Sequence, residues 1–165
     1  MKAIIESDQF NRTLKRMTHE IIERNEDLGK LILVGIERKG TPIAREIKAL
    51  IKQFEGVDVP LESLNINSHR DDHKKNTLDK SIFNNNINDN IIILVDDVLC
   101  TGRSVRAAID AIIDMGRPSK VELAVFVDRG HRELPIRADF VGKSIPTSKS
   151  ETVIVDYENR QVIIK

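Results

Sequence analysis

Residues 91–107 read IIILVDDVLCTGRSVRA, and this stretch decides the fold. Ile91 to Val95 form an unbroken apolar run, without the polar alternation of a half-exposed strand, which predicts a strand buried on both faces. Two carboxylates, Asp96 and Asp97, follow at its end. A short turn through Cys100 then leads by Thr101-Gly102-Arg103-Ser104 into a helical pattern, with Val105, Ala108, Ile109 and Ile112 at i, i+3, i+4 and i+7. Gly116 and Pro118 stop that helix at Met115. A strand, a tight turn and a helix place free backbone N–H groups and two hydroxyls at the positive end of a helix dipole. Gly102 carries no Cβ to hold an anion away from the backbone. These features describe a monophosphate cup. The two acids would repel a phosphate ligand unless they bind hydroxyls or a metal. A ribose 5-phosphate meets both demands, with its phosphate in the cup and its 2- and 3-hydroxyls on Asp96 and Asp97. A surface turn with acids at a strand end is the plainer alternative. The pattern lacks the Gly-Lys-Ser/Thr of a P-loop and the partner glycines of a dinucleotide fingerprint.

Outward from this element, Leu31 to Ile36 and Val121 to Val127 read as two more fully buried strands. Pro42 to Phe54 reads as a helix with Ile43, Ile47, Leu50, Ile51 and Phe54 apolar, and Pro42 is tolerated in a first turn. Strand, helix, strand, helix, strand predicts an α/β fold, a mostly parallel central sheet flanked by helices. Asp8 to Asn25 is an amphipathic helix, with Phe10, Leu14, Met17 and Ile21 on one stripe and Ser7 or Asp8 as N-cap. Its opposite face carries Arg12, Lys15 and His19, with Arg16 and Glu23 at the edge, and an ordinary solvated surface accounts for these charges. Val57 to Ile66 alternates in part and is a candidate strand. His69 to Asn90 is polar and too long for an ordinary connection, which makes it a candidate functional loop. Residues 128–150 carry Gly130, Pro135, Gly142 and Pro146 among charges and read as a lid-like excursion without a regular element. Thr152 to Val155 and Gln161 to Ile164 are expected to pair as a hairpin around Glu158-Asn159.

The balance of 26 Lys or Arg against 26 Asp or Glu excludes a polybasic protein whose whole surface binds nucleic acid. It leaves room for a local basic face. Cys100 is the only cysteine, so neither a disulfide framework nor a multi-cysteine zinc site is available. His69, His73 and His131 do not form a convincing metal-ligand set. The apolar runs fall far short of the ~18 residues of a membrane span. Met1 to Asp8 lacks the pattern of a signal peptide. A soluble, cytoplasmic chain with one domain over residues 1–165 is expected.

The 13 residues ILVDDVLCTGRSV resemble the phosphoribosyl pyrophosphate (PRPP) binding motif of type I phosphoribosyltransferases. Gly116 to Glu151, GRPSKVELAVFVDRGHRELPIRADFVGKSIPTSKSE, is similar to the bifunctional pyrimidine operon regulator and uracil phosphoribosyltransferase family. LKRMTHEIIERN and LVGIERKG agree with it, and the resemblance spans nearly the whole chain.

The resemblance implies the type I phosphoribosyltransferase fold with a lid, and transfer of phosphoribosyl from PRPP to uracil, giving UMP and pyrophosphate with Mg²⁺ held mainly by PRPP. It places the phosphate on Thr101, Gly102, Arg103 and Ser104, and the pyrophosphate on Arg38, Lys39 and Gly40. A basic pair beside a glycine at the end of a parallel strand suits that ligand. Lys39 is a departure, a point charge where many relatives carry the fork of an arginine. Arg70-Asp71-Asp72 matches a mobile loop whose arginine closes over pyrophosphate. His69 and Cys100 stand where relatives often carry tyrosine. Asp97, with Asp96 and Arg70, is the implied catalytic group, and Val127-Asp128-Arg129 matches the segment that reads uracil. A second ligand, pyrimidine-operon leader mRNA, is implied on Lys15, His19, Arg24, His131, Arg132, Arg137 and Lys143. Residues 129–150 hold five Lys or Arg against two acids, enough for backbone contacts to RNA on a neutral protein. The family reading further implies UMP-dependent attenuation of transcription and a homo-oligomer, dimer or tetramer. Two other readings remain open: a non-catalytic, nucleotide-sensing RNA-binding regulator, and a phosphoribosyltransferase for a purine or orotate.

Overall fold

In the run LILVGI every residue is buried, because successive side chains enter opposite layers of the protein. Leu31 and Leu33 join one core, while Ile32, Val34 and Ile36 join the other. The computed structural model describes residues 1–71 and 82–165. In it this run is strand β2 (Leu31–Ile36), near the middle of a five-stranded parallel sheet. Before it come β1 (Lys2–Ile5) and α1 (Ser7–Arg24), and after it α2 (Gly40–Glu55), β3 (Leu61–Leu64) and β4 (Ile91–Leu99). The chain continues through α3 (Arg103–Met115), β5 (Lys120–Asp128), β6 (Phe140–Ser144), β7 (Val153–Asp156) and β8 (Gln161–Ile164). The strand order in the large sheet is β3-β2-β4-β5-β6, and every neighbouring pair there is parallel.

Each face of the sheet is covered by helix. Phe10, Leu14, Met17 and Ile21 of α1 and Ile43, Ile47 and Ile51 of α2 close one core over Ile93, Val95 and Phe126. Val105, Ala108 and Ile112 of α3 close the other over Ile92, Leu94 and Val125. At roughly 1.5–3 kcal/mol for each large side chain removed from water, these layers dominate the fold's stability. The α1 stripe is the expected one, although Glu6 rather than Ser7 or Asp8 is the N-cap, without a side-chain cap bond.

Two expectations change. Residues 128–150 contain a regular element: Phe140 to Ser144 is β6, the fifth strand, paired with β5. Being an edge strand, β6 leaves its outer carbonyls unpaired, and the Arg16 guanidinium donates to those of Val141 and Gly142. The terminal hairpin forms as β7 and β8, and the start of the chain joins it: β1 pairs antiparallel with β8, making a second sheet β1-β8-β7. Glu46 of α2 fastens this small sheet, taking both Arg160 guanidinium nitrogens (2.5 and 2.8 Å) and the Tyr157 hydroxyl. Burial and the Glu46 hydrogen bond push the Tyr157 hydroxyl up to about 12. Residues 72–81 of the segment read as a functional loop, His73 included, lie outside the described residues. No helix among the described residues is long and apolar enough to cross a membrane.

Candidate active site

Pairing of β4 with β2 stops at Val95, four residues before the pairing of β4 with β5 ends at Leu99. The N–H groups of Asp97 and Val98 lie beyond that last β2 partner. The acids themselves serve those groups: Asp96 Oδ1 accepts from Asp97 N (2.8 Å) and Asp97 Oδ1 from Val98 N (2.7 Å). Both acids line a cleft of about 440 Å³ at the C-terminal ends of β2, β3 and β4. Its other walls are Glu37 and Arg38 after β2, Asn65 and Asn67 after β3, Arg70, and Ser104 in the first turn of α3. The crevice beyond the carboxyl ends of the strands is where an open parallel sheet binds ligands. Asp96 is 9% exposed, and burial, with the neighbouring Asp97 charge second, pushes its carboxyl well above the usual carboxylate range.

A pocket of about 360 Å³ lies further along the same edge, between Asp128–His131 after β5 and Ser144–Thr147 after β6. Arg129 braces it: Nε donates to Thr147 Oγ1 (3.0 Å), and the guanidinium also donates to the carbonyls of Ser148 (2.9 Å) and Glu151 (2.7 Å). Val127 is fully buried in the core, so only its backbone is available to a ligand.

The profile of the family described as "Phosphoribosyl transferase domain" matches residues 2–160. The chain is 54% identical to "Bifunctional protein PyrR" of Streptococcus suis over 154 residues, covering 93% of this chain and 88% of that one. It is 48% identical to the protein of the same name from Caldicellulosiruptor bescii, covering 98% and 94%. The chain belongs to the bifunctional PyrR group of the phosphoribosyltransferase family. Its fold is that of a hypoxanthine phosphoribosyltransferase of Trypanosoma cruzi, with a TM-score of 0.78 at 16% identity over 99% of this chain and 95% of that one.

Within this phosphoribosyltransferase the expected site residues separate. Arg38, Arg70, Asp96, Asp97 and Ser104 meet in the cleft. Lys39 does not line it, and instead faces a hollow against Tyr157 and Glu158 of the terminal hairpin. Gly40 is needed for packing, since a Cβ there would lie 2.2 Å from the Val95 carbonyl oxygen. Arg103 turns away from the cleft: Nε donates to Glu133 (2.9 Å) and a terminal nitrogen to Asp71 (2.5 Å). Thr101 accepts the Arg103 N–H on its hydroxyl and the Glu133 and Leu134 N–H groups on its carbonyl. The excursion after β5 is thereby stitched to the cup. Asn65 and Asn67 had no motif to announce them, and only their place after a short strand could have done so.

Gly102 has φ +93°, and a Cβ there would face Ile136 and Leu134 at ordinary contact distance. The expectation that its missing Cβ clears a path for the anion is corrected: the glycine is required for its backbone conformation. Gly102→Ala is expected to cost roughly 1–2 kcal/mol in strain, about 2–8 °C of melting temperature for a chain of this size. It is also expected to weaken UMP binding, because relief of that strain moves the start of α3. Undiminished UMP binding in calorimetry would place the phosphate elsewhere.

The residues assigned to RNA also divide. His131 lines the β5–β6 pocket, its Nε2 donating to the Thr147 carbonyl (2.5 Å). His19 stacks on Phe54 with ring centroids 4.3 Å apart. Arg24 pairs with Glu122 (2.9 Å) and Asp139 (3.2 Å), and Glu122 is a buried acid near the start of β5. Removing the arginine leaves that buried charge only Lys120, 3.8 Å away. Arg24→Ala is therefore expected to lower stability by about 1–3 kcal/mol in thermal or denaturant melts; an unchanged melt with lost RNA binding would return Arg24 to the RNA surface. Arg132 and Arg137 flank an open hollow with Leu134 and Pro135, and Lys15 is exposed on α1.

Among the described residues no group of three or more His, Cys, Asp or Glu side chains is placed to hold a metal ion. Asp96 and Asp97 are hard oxygen donors open to the cleft, which suits a divalent cation that brings most of its ligands with the substrate.

Proposed function

We propose that this protein is a uracil phosphoribosyltransferase that also binds pyrimidine-operon leader mRNA, favoured by UMP, to attenuate transcription. One observation supports the enzymatic half most strongly. Asp96, Asp97, Arg38, Arg70 and Ser104 come from four separate segments and border one polar cleft at the strands' C-terminal ends. In this reading Ser104 and the amides that follow Arg103 in the first turn of α3 take the 5-phosphate, since the N-cap Gly102 has no side chain for them and the Thr101 hydroxyl accepts only the Arg103 N–H. Asp96 and Asp97 receive the 2- and 3-hydroxyls, and Arg38 and Arg70 face the pyrophosphate. Mg²⁺, held mainly by PRPP with Asp96 and Asp97 as the nearest protein donors, would supply neutralisation of the leaving pyrophosphate. Uracil occupies the pocket between Asp128–His131 and Ser144–Thr147, read by backbone groups.

The bond from C1 of the ribose to the pyrophosphate oxygen breaks, a bond to uracil N1 forms on the opposite face, and the N1 proton ends on the departing pyrophosphate by way of solvent. The protein's work is orientation and charge stabilisation, so no nucleophile is required. Asp97, less buried than Asp96, offsets the positive charge that develops at C1. RNA lies on Lys15, His19, Arg132, Arg137 and Lys143, while Arg24 and His131 support the fold and the pocket. A cytoplasmic homo-oligomer of one-domain chains belongs to the same reading.

The deciding assay is UMP formation from uracil and PRPP with Mg²⁺, run beside orotate, hypoxanthine and xanthine. Uracil is expected to be the preferred base. Preference for another base would reassign the β5–β6 pocket. UMP-dependent RNA binding without turnover would leave a regulator that kept only the cup.

A further inference from the structure

Arg70 borders the cleft, yet the segment that carries it has little sheet to lean on, because β3 ends at Leu64. What holds it is α3. Residues 67–69 form a single 3₁₀ turn, closed by His69 N donating to the Ile66 carbonyl (2.9 Å). The His69 side chain, 14% exposed, donates from Nε2 to Asp114 Oδ2 at 2.5 Å, and a carboxylate acceptor settles that this nitrogen carries the proton. The other ring nitrogen lies 2.8 Å from the hydroxyl of buried Ser68. The His69 carbonyl accepts from the Arg106 guanidinium (3.0 Å), which is itself held by Asp110 (2.5 Å). Arg106, Asp110 and Asp114 stand four residues apart on one stripe of α3. The helix whose first turn puts Ser104 in the cleft thus grips the turn that delivers Arg70 to the same cleft.

We infer that His69 is a positioning residue for Arg70, tying the 67–70 turn to α3 through Asp114 and Arg106 so that phosphate cup and arginine move as one body. The inference rests on the proposed function for the identity of the ligand, PRPP. The tether is built from His69 and Asp114.

A double-mutant cycle on the full chain tests it, read by calorimetric binding of PRPP with Mg²⁺ and by steady-state kinetics. His69→Ala is expected to weaken PRPP binding about tenfold, the scale of a hydrogen bond to a charged group. The KM for uracil should stay unchanged. Asp114→Asn should follow in the same direction, and His69→Gln, which keeps a donor toward Asp114, should recover part of the loss. In an Arg70→Ala background His69→Ala should add nothing, because the tether then has no arginine to place. A full further loss in that background would overturn the inference, as would wild-type PRPP affinity in His69→Ala. A wild-type protein that binds PRPP but makes no UMP would sink the proposed reaction, while the binding cycle would still decide the tether. Absence of PRPP binding by the wild type would overturn both.

Discussion

Asp97→Asn should lower UMP formation by about a hundredfold or more, the range for loss of one preorganised electrostatic group, while leaving the fold intact. The substitution is close to isosteric, and the local backbone has no reason to move. Asp97 Oδ1 accepts the Val98 N–H, and an asparagine oxygen can do the same. What disappears is a negative charge on the wall of the cleft where the proposed function places the ribose. Because the positive charge at C1 grows only in the transition state, kcat should carry most of the loss, with the KM for PRPP changing less. Asp96→Asn is a useful companion. Its side chain is already buried and accepts the Asp97 N–H, so its replacement should cost less in kcat and more in local order. The comparison is made by steady-state kinetics beside thermal melts. A near-wild-type kcat in Asp97→Asn would remove this acid from the transition state and point to Arg70 and Arg38 as the main charge-stabilising groups.

The acids were legible in the sequence because they end an apolar run. Wherever a run is buried on both sides, as at Leu31 to Ile36 and Ile91 to Val95, composition alone marks a central strand. Edge elements carry no such mark. Phe140 to Ser144 contains a glycine, a lysine and a serine, and only Phe140 is buried, with Val141 half-buried against the other core. Its strand character comes from pairing with β5, a partner whose position is known only once the sheet exists. The same holds for Lys2 to Ile5, which needs β8 from the far end of the chain. Side-chain roles failed to show for a related reason. Arg24 looks like one more cation on a solvated helix, and Glu122 looks like an interruption in VELAVFV. Their pairing joins the end of α1 to the start of β5, which no local pattern records. Arg103 is the instructive case within the motif. Its place in Thr-Gly-Arg-Ser suggested a phosphate contact, whereas Glu133 and Asp71 draw its guanidinium to the lid side of the turn.

That pairing bears on how the two proposed activities share one chain. Thr101, in the cup, holds the backbone of Glu133 and Leu134, and Arg103 holds the Glu133 carboxylate, so the excursion carrying Arg132 and Arg137 is anchored where the phosphate is proposed to sit. A ligand that orders the cup would also steady the basic segment, a physical route for the proposed favouring of RNA binding by UMP. Arg137 tests the RNA half alone. Its neighbour Ile136 faces Gly102, while Arg137 itself is exposed and pairs with no described residue. Arg137→Gln removes one charge and a bidentate donor without touching the cleft. RNA affinity is expected to fall by roughly 1–3 kcal/mol, about 5- to 150-fold, and the salt dependence to flatten by about one counterion. UMP synthesis should remain at the wild-type rate. Gel-shift titrations of a pyrimidine-operon leader RNA, at two salt concentrations with and without UMP, make the measurement. Unchanged RNA binding beside impaired catalysis would move Arg137 into the active site. Equal loss in the presence and absence of UMP would keep Arg137 as a plain phosphate contact. A loss confined to the UMP-bound state would show that the cup aims this arginine, through the Thr101 and Arg103 contacts that join the two surfaces.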